Sequence, residues 1–189
     1  FKAEGTGVLW NNPMYGFRSY AAWTENAALP EPTLVGNVSN QNLHGLDVPD
    51  MVIVTPAAYA SQAERIAELH RNDAIHPMTV SVIEDQAIYN EFSSGSADVH
   101  GLRRFFKMLY DRGGGLTPTS EHHLQYVLLM GCATYDHRHL TADLKRMNTV
   151  TIPAWVTTTM RSSLNDNDGF TCDDFAAILA DDSGDNMAY

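Results

Sequence analysis

The sequence predicts a three-layer α/β fold, a mostly parallel sheet with helices on both faces. Two observations carry this expectation. From Val48 onward, short apolar runs alternate with amphipathic stretches at helical spacing, and strand–helix–strand order builds a parallel sheet whose crossovers cover it. The first run, Met51-Val52-Ile53-Val54-Thr55, is apolar and β-branched at successive positions and is stopped by Pro56, as a strand buried on both faces is.

Taken in order, residues 1–47 are rich in Gly, Asn and Pro and show no helical period. They predict an amino-terminal segment of irregular or short β structure, distinct from an α/β domain over 48–189. Trp10, Tyr15, Phe17 and Trp23 are expected to pack it against something, since aromatic side chains bury large areas. After the 51–55 strand, Tyr59, Ala63, Ile66 and His70 share one face of a helix, with Ser61 and Glu64 at capping-box spacing. Residues 78–83 give a second strand. "EDQAIYNEF" gives a short helix, broken at "SSGS". Asp98 caps the next helix, whose apolar stripe is Val99, Leu102, Phe106 and Leu109 and whose end is the run Gly113-Gly114-Gly115. "YVLLM" at 126–130 is the third strand. Residues 148–156 form a fourth, edge-like because of Pro153.

Ligands of such sheets gather outside the carboxyl ends of the strands. Those ends carry Thr55-Pro56, Glu84-Asp85 and Gly131-Cys132. Cys132, with Asp136 and His137 close behind, reads as a nucleophile, a metal ligand or a buried bystander. The histidines favour none of these outright. His122 and His123 lie in a polar stretch before a strand, His137 and His139 in a polar loop after one, and His70 on the apolar side of a helix.

Bulk properties narrow the function. With 23 acidic and 12 basic residues the net charge is −11, which repels phosphate backbones and argues against nucleic acid; it suits solubility or a hard cation such as calcium. No apolar run approaches the roughly 18 residues of a spanning helix, and no signal peptide precedes the first strand. The chain starts at Phe1 rather than Met, so a processed product or a fragment is expected. Cys132 and Cys172 have no zinc spacing and leave one disulfide open as a pairing. Nucleotide-binding glycine motifs, the P-loop and the G-x-S-x-G elbow are absent. "NDNDGF" at 165–170 fails as an EF-hand, because the first and twelfth positions would be Leu164 and Phe175.

The blocks "NQNLHGL" (40–46), "DMVIVTPAAY" (50–59), "SQAERIAELHR" (61–71), "QAIYNEFSSG" (86–95), "LRRFFKMLYDRG" (102–113), "YVLLMG" with "ATYD" (126–136) and "CDDFAAILADD" (172–182) occur in this order. Together they resemble the gingipain-type cysteine peptidases, most of all the sortase-like members that serve the type IX secretion system of Bacteroidetes. The resemblance runs over about 36–189. It implies the amino-terminal sub-domain of a caspase-like fold, in a parent that is a cysteine endopeptidase or sortase. The family's catalytic His and Cys lie in a second half, expected beyond Tyr189. No residue of this chain is therefore assigned to catalysis, and the chain alone is expected to be inactive. The resemblance further implies an exported protein of the periplasm or outer-membrane surface. Its partners would be its own catalytic half, secretion-system components and the carboxy-terminal sorting domains of cargo proteins.

Calcium is the cofactor that the resemblance suggests, with Asp182 and Asp185 as metal candidates beside Asp181. The residue after the glycine of the third strand is usually an aspartate in the family, resembling a calcium ligand. Here it is Cys132, a soft thiol where the ion prefers oxygen. Cys132 is then expected to be a small, partly buried residue at a strand end. The competing reading is a stand-alone doubly wound binding module, flavodoxin-like or receiver-like, without catalysis. Asp50 before the first strand, Cys at 132 and the poor phosphate loop "TPAAYAS" all weaken it.

Overall fold

A computed structural model describes residues 2–4, 7–9, 16, 19–34, 36–119, 121–134, 151–153, 155–157 and 170–180. The chain divides into two compact units, Phe1–Ser39 and Asn40–Tyr189. In the first, β1 (Lys2–Glu4) and β2 (Gly7–Leu9) pair antiparallel, with Lys2 opposite Leu9. Trp23 is 67% exposed, and Leu34 and Val38 are also open, so the expected burial of Trp23 does not occur. Trp10, Tyr15 and Phe17 lie outside the described residues.

The second unit contains the sheet. Strand β3 (Met51–Thr55) lies at its centre, with β4 (Val80–Glu84) on one side and β5 (Tyr126–Leu129) on the other, all parallel. Met51 is opposite both Val80 and Tyr126. All five residues of β3 are buried, because both faces of a parallel strand are covered. The pleat divides them. Val52 and Val54 join one core with Ile88, Leu102, Phe105, Phe106 and Leu109; Met51 and Ile53 join another with Ala63, Ala67 and Val80. These cores are closed by α2 (Asp85–Phe92) and α3 (Val99–Arg112) on one face and by α1 (Ala60–Arg71) on the other. The three-layer α/β fold is as expected.

The expected stripe on α3 is present and wider. Leu102, Phe106 and Leu109 are fully buried, and Phe105 joins them. Asp98 caps the helix, its side chain accepting from the His100 amide at 3.0 Å. The glycine run ends it through Gly114, at φ +97°, where a Cβ would stand 2.7 Å from the Thr117 carbonyl oxygen and the Thr119 nitrogen. No side chain fits that backbone path.

Three expectations are corrected. The capping box at Ser61 does not form, because Pro56 starts a 3₁₀ turn over Ala57–Tyr59 that runs directly into α1 at Ala60. Ser61 is therefore already inside the helix, and Tyr59 is partly exposed. Tyr126 and Val127 are exposed rather than buried, since β5 lies at the end of the three-strand order. The chain also changes partner at the end of β5. The Met130 amide still donates to the Val54 carbonyl at 2.8 Å, but Cys132 begins β6 (Cys132–Thr134), which pairs parallel with β7 (Thr151–Pro153). In place of one fourth strand there are β7 and β8 (Trp155–Thr157), the latter antiparallel to β9 (Phe170–Cys172). The short helix α4 (Asp174–Ala177) follows, and Ala176 and Leu179 enter the α2–α3 core.

Candidate functional site

The carboxyl ends of the strands are where chemistry was expected. Thr55 is fully buried, and its hydroxyl donates to the Pro56 carbonyl at 3.2 Å. Gly131 lies under Ile152: a Cβ there would come within 3.0 Å of Ile152 Cγ1, so the two strand ends close on each other. Asp85, in the first turn of α2, accepts from the Gln86 amide at 2.8 Å. Burial raises the Asp85 pKa above its ordinary value, against the opposing pull of that bond. Four residues on, the Tyr89 hydroxyl is buried and faces Asp85; burial, the Asp85 charge and the interaction with its carboxylate push the Tyr89 pKa upward.

Cys132 is exposed and its thiol is free. This corrects the expectation of a partly buried residue and removes a disulfide at Cys132. The reason is local: Cys132 opens a new strand just past the partner change instead of ending the buried one. Among the described residues no cluster of three or more His, Cys, Asp or Glu could hold a metal. Asp181, Asp182 and Asp185, like His137 and His139, lie outside the described residues. His70 is half-buried in α1, as a packed histidine would be.

Two carboxylate-centred clusters were not foreseen. The first is Asp50, directly before β3 and only 6% exposed. Its Oδ2 accepts from the Thr79 amide and the Thr79 hydroxyl, both at 2.8 Å, while the Asp50 amide donates back to that hydroxyl at 2.9 Å. His122 Nδ1 lies 3.2 Å from Oδ2, and the Asp50 carbonyl accepts from the Gln125 and Tyr126 amides. One residue thus ties together the starts of β3, β4 and β5. Burial pushes the Asp50 carboxyl up, but the two Thr79 bonds and His122 outweigh it and hold its pKa below the ordinary value. His122 is an exposed loop residue, as expected, and is in addition a partner in this knot. It borders an open groove of about 570 Å³ with His76, Glu121 and Tyr126. The groove is at the amino ends of the strands, opposite the side where such sheets bind ligands. The knot therefore reads as a register lock, an aspartate flush against an all-apolar strand being its sequence trace.

The second cluster is Glu91 on α2. It accepts from the Leu43 amide at 2.7 Å, Gln41 Nε2 at 2.9 Å, His44 Nδ1 at 2.7 Å and the His44 amide at 3.3 Å. The His44 ring stacks on Phe92 at 4.6 Å, and Arg112 donates to the His44 carbonyl. The segment before β3 is so strapped across α2 and α3. Burial raises the Glu91 pKa, yet the Leu43, Gln41 and His44 donors together bring it from 4.5 to about 2. A depressed carboxylate stabilises the fold fully above its unfolded pKa, and loses that contribution as pH falls through the folded one. Glu91→Gln is expected to cost on the order of 2 kcal/mol at neutral pH. The gap to wild type should close between pH 4.5 and about 2. Urea midpoints of both proteins at stepped pH measure this; a gap that ignores pH would mean that the strap does not depend on the charge.

The geometry offers binding and scaffolding, with no nucleophile–base pair around Cys132 among the described residues. The family model for Peptidase family C25 matches residues 44–188. The crystal structure of dimeric latent PorU from Porphyromonas gingivalis is similar, with a TM-score of 0.66 and 30% identity over 79% of this chain. The match covers 14% of that PorU chain. A search of curated proteins finds no match.

Proposed function

Since the chain belongs to peptidase family C25, the gingipain family, by a match over residues 44–188, we propose that it is the non-catalytic amino-terminal half of a gingipain-like peptidase unit of PorU type. The observation that carries this reading is the combination of that match with Cys132, an exposed thiol that hydrogen-bonds no described residue. A cysteine nucleophile needs an oriented base and donors for the oxyanion. In this reading the parallel sheet is a preformed wall against which a catalytic His- and Cys-bearing half completes the fold. The parent would be a sortase of the type IX secretion system, cleaving carboxy-terminal sorting domains from cargo. Export to the periplasm or outer-membrane surface follows from that role. Among the described residues no helix is long and apolar enough to cross a membrane.

If the acidic segment with Asp182 and Asp185 takes the ion, Cys132 offers sulfur where a hard cation needs oxygen, so we propose weak binding.

The test is turnover. The purified chain, offered Arg-, Lys- and sorting-signal peptides under reducing conditions, is expected to cleave none. Cleavage that disappears in Cys132→Ala would overturn the reading and make Cys132 the nucleophile.

A further inference from the structure

Four basic side chains, His100, Arg103, Arg104 and Lys107, line a small groove of about 120 Å³ on α3. Their spacing is i, i+3, i+4 and i+7, so they fall on one side of the helix. Its other side carries Leu102, Phe105, Phe106 and Leu109 into the core. A basic stripe is unexpected in a chain with 23 acidic and 12 basic residues. His100 and Lys107 have carboxylate partners, Asp98 at 3.0 Å and Asp111 at 2.5 Å. The arginines pair with no carboxylate among the described residues.

Each arginine is instead pinned from one side. Arg103 Nη2 donates to the Ile178 carbonyl at 2.9 Å, and its guanidinium lies 5.3 Å from the centre of the Phe175 ring. Arg104 Nη1 donates to the Phe92 carbonyl at 2.8 Å. Two guanidiniums are so held in place, each with donors to spare from its five N–H bonds. Arg103 Nε is moreover buried with no acceptor among the described residues. A charged donor left in that state is costly, and an anion facing the delocalised charge offsets the cost without touching Nε itself. We propose that this groove binds the phosphoryl group of a small molecule, with Arg103 and Arg104 bracketing its oxygens and Lys107 adding charge at the edge. The size suits it: about 120 Å³ is the share of about four waters, room for one oxyanion group and no ring. The donor count favours phosphoryl over carboxylate. A carboxylate's two oxygens satisfy a single guanidinium fork, whereas a phosphoryl group brings three acceptor oxygens to two forks. The net charge of −11 repels an anionic membrane, so the group arrives on a small molecule and not on a lipid surface.

Titration of the whole ¹⁵N-labelled chain with inorganic phosphate, followed by nuclear magnetic resonance, tests the site. Saturable shifts are expected at the Nε–H signals of Arg103 and Arg104 and at the amides of 100–107. Acetate at equal ionic strength is expected to bind at least tenfold more weakly. Shifts that never saturate, or acetate binding as well as phosphate, would overturn the proposal. Arg104→Gln is expected to weaken phosphate about tenfold, near the lower end for a lost hydrogen bond to a charged group. Arg104→Lys, which keeps the charge and loses the fork, should fall between that variant and wild type. Arg104 is exposed, so both variants keep the fold, and the amide spectrum of β3 verifies it. Arg65→Gln, on α1 across the sheet, is the control and should leave the affinity unchanged. An equal loss there would reduce the effect to general charge and overturn the site. The last arm sediments the chain with phosphatidylcholine vesicles, with and without phosphatidic acid. No difference is expected; binding to the acidic vesicles that Arg104→Gln abolishes would assign the groove to a membrane surface and overturn the small-molecule reading.

Discussion

Phe106→Ala is expected to lose about 3–5 kcal/mol of folding stability, the range for truncating a fully buried aromatic ring. Phe106 is wholly inaccessible and sits beside Phe105, ring centroids 5.6 Å apart, under Val52 and Val54 of the central strand. Neither neighbour can collapse far into the space: the strand is fixed by two ladders, and Phe105 is itself packed edge-on to Phe92 at 5.5 Å. Arg104, two residues earlier and on the outer face, should cost under about 1 kcal/mol when cut to Ala. Urea melts of both variants measure the difference. Equal losses would mean that the helix face is assigned wrongly.

Asp50→Ala is expected to cost about 3 kcal/mol, although it removes no apolar contact. The loss comes from two hydrogen bonds to a charged acceptor, donated by the Thr79 amide and hydroxyl to a carboxylate that is nearly buried although Thr79 itself is exposed. Asp50→Asn should cost less, because the amide oxygen still accepts from Thr79 while its NH₂ can face His122. The depressed pKa of Asp50 adds a pH signature. Its contribution is complete above the ordinary carboxylate pKa and fades as pH drops below it. Chemical denaturation of the two variants at neutral and acid pH checks both points. An Asn variant as damaged as the Ala variant would assign the effect to charge instead of hydrogen bonding.

The parts of the fold legible in the sequence are those written in short-range pattern. The run Met51–Thr55 announces a doubly covered strand, and the stripe on α3 with its Asp98 cap and glycine stop announces a helix; both stand as expected. The start of α1 was misplaced because a capping box and a proline-led turn competed within five residues, and the proline fixed the geometry first. The exposure of Tyr126 and Val127 was invisible because an apolar run carries no information about whether its strand is central or terminal. Of the candidate site, the exposed thiol at position 132 depended on a change of partner at Met130–Gly131 that no local signal marks. The Asp50 and Glu91 clusters join residues 29 to 76 positions apart, a kind of proximity that spacing rules cannot see.

The placement of β3 between one near and one far neighbour has a kinetic consequence. Asp50 meets Thr79 across 29 residues but Gln125 across 75. Closing the longer loop costs about 0.8 kcal/mol more chain entropy. It also has to wait for α2 and α3 to lie down between. The unit β3–α1–β4 is therefore expected to act as the folding nucleus, with β5 joining after the rate-limiting barrier. Substitutions in β5 should then act mainly by speeding unfolding, whereas those at Ile53 or Ala63 should slow folding itself. The central strand sets the timetable of the fold as well as its core.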